Sequence, residues 1–218
     1  MKNTIQPLIA CGAVLMASTI VSKANDWTQN LYMNVDAGGI FQQDADFTES
    51  GYPTETASFD AGARIDLALG YKVTDSLAVE FEPGFMWNSI DSLNGYSLGQ
   101  FGESIDLYSI PLMANLVYTF PTKAGWTPYV GAGVGANIGI LDASTPFASF
   151  NESDVTFAYQ AEAGIKYALS DNATIGVAYK FFGTTDQTYT LSAHGASEDV
   201  NLSGIFIHGI FANFTVSF

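Results

Sequence analysis

One cysteine, only seven Lys and Arg, and no long apolar run after the N-terminus limit what this 218-residue chain can be. A lone cysteine excludes an internal disulfide framework and a Cys-rich metal site. Seven scattered cations against 22 Asp and Glu build no basic patch, which disfavours nucleic-acid binding. Without a run of about 18 apolar residues beyond the N-terminal stretch, the chain does not read as a helical membrane protein. Charged residues make up 13% of the chain, hydrophobic ones 48% and aromatic ones 14%, so intrinsic disorder is excluded as well. The residues in excess are 21 Gly, 16 Phe and 11 Tyr, a composition that suggests strands in an apolar environment.

Residues 1–24 have the parts of a secretory signal: Lys2, an apolar stretch from Ile5 to Val21, and Ser22-Lys23-Ala24 with small residues before a cleavage site. The expected mature chain, 25–218, keeps no cysteine, since Cys11 falls in the removed segment although Leu8-Ile9-Ala10-Cys11 resembles a lipobox.

Beyond that point apolar residues recur every second position. Phe59, Ala61, Ala63, Ile65, Leu67, Leu69 and Tyr71 alternate with a face holding Asp60, Arg64 and Asp66. A period of two is a strand signal. The same alternation appears in eight segments, ending with Ile210, Ala212, Phe214, Val216 and Phe218. The connections between segments, at 43–57, 72–76, 88–104, 121–126, 142–154, 170–173 and 184–200, alternate long and short without exception. That parity fits an all-β, eight-stranded antiparallel transmembrane barrel with short periplasmic turns and four longer extracellular loops. The polar faces carry Asp36, Asp60, Arg64, Asp66, Glu80, Glu82, Glu162, Lys166 and Lys180. So many ionisable groups do not fit a continuous apolar core, so the apolar faces must point outward into lipid.

Two aromatic girdles are expected: Tyr71, Tyr118, Phe120, Trp126, Tyr129, Tyr167 and Phe218 at the periplasmic ends, and Phe41, Phe59, Trp87, Tyr108 and Phe157 at the others. Pro83 and Pro111 fall inside strands of a closed wall, where bulges are the expected accommodation.

Ser109-Ile110-Pro111-Leu112-Met113-Ala114-Asn115, then Tyr118, then Gly125-Trp126-Thr127-Pro128-Tyr129 running on to Gly135, resemble the central motif of small outer-membrane barrels. These are the opacity-type porins and the membrane domain of outer-membrane protein A. The closing stretch Gly209–Phe218 resembles that class's terminal assembly signal, with Phe214, Val216 and Phe218 at one parity. The resemblance implies the outer membrane of a Gram-negative bacterium, contact with lipid and lipopolysaccharide, and insertion by barrel-assembly machinery. It is weak for function, because the family includes adhesins, small pores and anchors.

Eight strands leave an interior only wide enough for side chains. The lumen is therefore expected to be plugged by ion pairs among Asp36, Asp66, Arg64, Glu80, Glu82, Glu162, Lys166 and Lys180, with the strand-five glycines making room. The leading reading is a monomeric structural or surface-interaction (adhesin-like) protein. A small porin for solutes is the alternative, with a lipid-modifying enzyme ranked below it. Only His194 and His208 are available for acid–base chemistry, the first on a long loop and the second at lipid-facing parity, so no catalytic set, metal site or cofactor is expected. The loops hold Asp44, Asp46, Glu49, Glu55, Asp91, Glu103, Asp142, Glu152, Asp154, Asp186, Glu198 and Asp199 and no Lys or Arg, which points to basic host proteins or divalent cations as partners.

Overall fold

A computed structural model of the protein describes residues 28–49, 53–97, 104–122, 125–144, 149–193 and 196–218. The leader, 1–24, and His194 lie outside these residues. The wall consists of β1 Leu31–Gln42, β2 Gly62–Lys72, β3 Leu77–Leu93, β4 Ser104–Thr119, β5 Trp126–Ser144, β6 Ser149–Ala168, β7 Ala173–Thr184 and β8 Phe206–Ser217. Each pairs antiparallel with its sequence neighbour. β1 pairs with β8 from Tyr32↔Ser217 to Gln42↔Ile207, which closes the barrel and leaves it without an edge.

The alternation sets the two faces. Ile65, Leu67, Leu69, Val79, Phe81, Val130, Val134, Val177 and Ile210 are exposed on the outside. Asp36, Arg64, Asp66, Glu82 and Lys180 are buried inside. An apolar outer surface around a charged interior is stable only where the outer solvent is hydrocarbon.

β5 has 19 residues and β6 has 20, roughly twice the ~9–11 that a tilted strand needs to cross a bilayer. These strands run on past the loop end of the barrel. The long connections also carry strands of their own. Gln187–Ala193 pairs with Ala196–Leu202, which pairs with Ala45–Glu49, then Glu55–Phe59, then the outer end of β3. A hairpin from Leu93 to Tyr96 turns through Asn94 at φ 50° and Gly95 at φ 79°. Both central residues take the left-handed region that this two-residue turn demands. The segments expected as plain loops thus form a second sheet above the barrel rim.

Three other expectations need correction. No bulge accommodates the prolines. Pro83 pairs with Leu112 and Pro111 with Asn137, in the same register as the residues on either side. The β3–β4 ladder instead skips two residue pairs, 84–85 opposite 110–111, and the β2–β3 ladder skips two, 67–68 opposite 82–83, because proline has no N–H to give. Tyr129 is not in a girdle: it points inward and is 3% exposed. Phe59 and Tyr108 are half-buried, and Phe59 packs under the loop strands. The outward aromatics Tyr71, Tyr118, Phe120, Trp126 and Tyr167 do ring the turn end, and Phe41, Trp87 and Phe157 the loop end.

Candidate functional site: a layered lumen

The interior is filled in three layers. Next to the turn end, Tyr32 and Tyr129 lie across the barrel. The Tyr32 hydroxyl donates to Glu80 Oε1 at 2.5 Å, and Asn213 Nδ2 donates to the Tyr129 hydroxyl at 3.1 Å. Glycines face both rings. A Cβ on Gly164 would meet Tyr129 at 2.6 Å, and one on Gly70 would collide with Tyr32 Cζ.

The middle layer is ionic. Arg64 Nε contacts Asp66 Oδ1 at 2.7 Å, and its Nη2 reaches Glu82 Oε1 at 3.1 Å and Gln160 Oε1 at 2.9 Å. Lys180 Nζ lies 2.7 Å from Asp36 Oδ2, 3.1 Å from Asp66 Oδ2, 3.0 Å from Glu82 Oε1 and 3.7 Å from Glu162 Oε2. Asp36 and Asp66 are directly opposed on β1 and β2, a like-charge pairing that is repulsive by itself. The Lys180 ammonium bridges them. Gln160 Nε2 donates to Glu82 Oε1 at 3.0 Å and to Asn115 Oδ1 at 2.9 Å, and Asn115 Nδ2 donates to Glu82 Oε2 at 3.0 Å. Pairing of this kind is what makes buried charge tolerable, and it leaves Asp36 Oδ1 as the layer's buried carboxylate oxygen without a hydrogen bond among the described residues. Ligand oxygens of Asp36, Glu82 and Glu162 lie within 4.8 Å of one another, a spacing suited to a hard cation. The Lys180 ammonium, in contact with all three, already supplies the positive charge there.

The strand-five glycines make room for this layer. A Cβ on Gly131 would meet Glu162 Oε1 at 2.6 Å, and one on Gly133 would collide with Asn115 Oδ1. Two expected members stand apart from the ion pairs. Glu80 is held by the Tyr32 hydroxyl. Lys166 makes no ion pair among the described residues, and its ammonium lies 4.6 Å from the Tyr129 ring centre.

The third layer, toward the loop end, sets an apolar cluster beside buried neutral polar groups, among them Asn88, whose Nδ2 donates to Gln42 Oε1 at 2.7 Å. Ile40, Met86, Leu107, Phe182, Ile205, Ile207 and Phe211 form one buried cluster. Phe182 and Phe211 cover the Arg64 guanidinium at 5.2 and 5.9 Å, and Phe211 lies 5.5 Å from Lys180 Nζ. The cation–π contacts seal the ionic layer from the outer side. Among the candidate groups for catalysis, His208 is on the outer wall. There its Nδ1 lies 2.5 Å from the Tyr179 hydroxyl, and its Nε2 lies 2.9 Å from Gln43 Nε2, with no carboxylate in that set.

Comparison with known proteins agrees with this architecture. The chain is 28% identical to outer membrane protein PagN of Salmonella typhimurium over 131 residues, 53% of this chain and 54% of PagN. It therefore spans about half the length of that curated relative. The fold is shared with OprG of Pseudomonas aeruginosa, at a TM-score of 0.63 and 15% identity over 88% of this chain and 98% of the other. It is also shared with Neisserial surface protein A, at 0.54 and 17% identity over 87% and 97%. The outer membrane protein beta-barrel domain profile matches residues 9–203. The chain belongs to that family and resides in the outer membrane of a Gram-negative bacterium, in contact with its lipid.

Proposed function

We propose that the barrel is a closed, rigid base that displays an acidic sheet at the cell surface, and that this sheet engages basic proteins or cations. The observation that carries the reading is the filled lumen beneath a hydrogen-bonded outer sheet. A channel leaves its centre open, whereas here Arg64 and Lys180 bridge strands across the middle of the barrel. The sheet and its rim present Asp44, Asp46, Glu55, Asp91 and Asp186 as exposed acids. Glu49, Glu103, Glu198 and Asp199 belong to the same loops, with side chains outside the described residues. Asp186 and Asp154 also order the backbone, accepting from Gly204 N and Thr188 N at 2.8 Å each, so the acidic surface is held in a fixed shape.

Lipid bilayers containing the protein should show no steady conductance, and cells displaying it should bind a cationic protein such as lysozyme. Neutralising the twelve loop acids to Asn and Gln should reduce that binding several-fold, and raising the salt should reduce it again. A large stable conductance would favour the porin reading, and binding indifferent to charge and salt would remove the partner role. The same geometry supports a non-enzymatic role: His208 is turned outward with Tyr179 and Gln43, away from any carboxylate or nucleophile in the lumen.

Export requires removal of residues 1–24 in this scheme, and insertion is guided by Phe214 and Val216 on the lipid-facing side of β8 and by Phe218 just beyond its end. Phe218 N donates to Leu31 O at 3.1 Å, at the seam where the barrel closes. Deleting Phe218 should lower the yield of membrane-inserted, heat-modifiable protein several-fold while export continues. Equal yields from both chains would leave Phe218 as an anchor only.

A further inference from the structure

The positive charge of this barrel is placed unevenly. Arg64 and Lys180 are consumed by carboxylates in the ionic layer. Lys72 and Lys166 are not: neither has a carboxylate within ion-pair distance among the described residues, in a chain with 22 acids. Both face one cavity of about 210 Å³ at the periplasmic mouth. Their ammonium groups each lie 6.0 Å from the Tyr32 ring centre, so they are at most twice that distance apart.

Hydroxyls complete the lining. Thr74, Ser76, Thr119, Thr127, Thr174, Thr215 and Ser217 all border the cavity. Thr174 Oγ1 is buried without a hydrogen-bond partner. Thr74 Oγ1 accepts from Leu77 N at 3.0 Å, which leaves its own O–H free to donate. Lys72 Nζ donates to Ser217 Oγ at 3.3 Å, a long contact that does not use up the ammonium. Asp75 is the acid in the lining, while Glu80, held by the Tyr32 hydroxyl, lies behind the Tyr32 ring. Tyr32, Ala78 and Val117 line the cavity on its inner side.

We infer that the periplasmic mouth is a binding site for a phosphate oxyanion, gripped by Lys72 and Lys166 and oriented by the surrounding hydroxyls. Two ammonium groups lining one cavity supply the charge, and the O–H groups of Thr74 and Thr174 are donors suited to the several acceptors of a tetrahedral oxyanion, whereas Thr215 already gives its proton to Asn34 Oδ1 at 2.7 Å. The volume admits a phosphate with a small substituent. That chemistry is common to a free phosphate ester and to the headgroup of a periplasmic-leaflet phospholipid.

The test is a titration of the purified full barrel with inorganic phosphate, read by amide chemical shifts, in nanodiscs of zwitterionic phosphatidylcholine. Saturable shifts at Thr127, Thr174 and Lys166 are expected, at constant ionic strength. Lys166→Gln should weaken binding at least fivefold, and Lys166→Gln with Lys72→Gln should abolish it. Heat-modifiable migration of both variants shows that they remain folded. A second arm uses nanodiscs of phosphatidylglycerol without added phosphate: the same shifts there identify a lipid headgroup as the occupant, and their restriction to added phosphate identifies a free anion. Shifts that chloride reproduces equally, or that persist in the double variant, would overturn the site.

Discussion

Replacing Lys180 with methionine should destabilise the barrel by about 3–5 kcal/mol, the usual cost of stranding one side of a buried ion pair. Lys180 contacts four carboxylates, and its side chain is 1% exposed. Methionine keeps the packing but leaves the opposed Asp36 and Asp66 without their bridge, and Glu162 without its ion-pair partner. The measurement is the temperature or urea concentration at which the heat-modifiable band converts to the unfolded one. Asp36 has no ion-pair partner besides Lys180 among the described residues, so Lys180→Met with Asp36→Asn should recover part of the loss. A single variant as stable as the parent, or a double variant worse by the sum of its parts, would mean that Lys180 does not organise the layer. Conductance of the single variant is informative too, because water drawn to the stranded acids would open transient current.

Gly133→Val should cost about 1–3 kcal/mol by overpacking. Position 133 faces inward from β5, where any Cβ collides with Asn115 Oδ1 and lies 3.0 Å from the Ala114 carbonyl. Asn115 must then swing away, losing its bonds to Glu82 and Gln160. Gln160 also accepts from Arg64, so the disturbance reaches the ionic layer through one neutral amide. The same unfolding measurement reads the loss. Gly39→Val, at an outward position where nothing lies within 4 Å of the added Cβ, should change stability little and serves as the control. Equal behaviour of the two variants would mean that the lumen is loose enough to absorb a side chain.

The wall was legible in the sequence because its two faces meet two different solvents, and a period of two records that contrast residue by residue. The lumen was legible only where it is charged. Asp36, Arg64, Asp66, Glu82, Glu162 and Lys180 stand out among apolar neighbours, whereas Asn115 and Gln160, also turned inward, carry no charge to mark them. Ile40, Met86, Leu107 and Phe182 were hidden for another reason: beside outward apolar residues, an inward apolar residue only lengthens the run. Tyr129 was recoverable, since it is an odd number of residues from outward Trp126. Lys166 shares a face with Glu162, but four residues at ~3.3 Å each separate them by about 13 Å, too far for pairing. The outer sheet had one local sign, Asn94-Gly95, inside a segment read as plain loop. Gln187–Ala193 and Ala196–Leu202 are neighbours in sequence, but the pairings that assemble the sheet join distant segments, as in Leu202 with Phe47, which no local pattern encodes.

The uneven placement of lysine and arginine has a practical side: trypsin reads it as a compass. None of the four long surface loops offers a residue after which trypsin cuts, while Arg64 and Lys180 are sealed in the lumen. The exposed Lys72 stands at the periplasmic turn, and Lys123 falls in the next periplasmic connection. Trypsin added to intact cells should therefore leave the folded chain whole, however mobile its surface becomes. The same enzyme admitted to the periplasm meets its targets first at these turns. Fragments ending at Lys72 or Lys123 would report a breached outer membrane, or a barrel inserted upside down in a reconstituted vesicle, without any label attached to the protein.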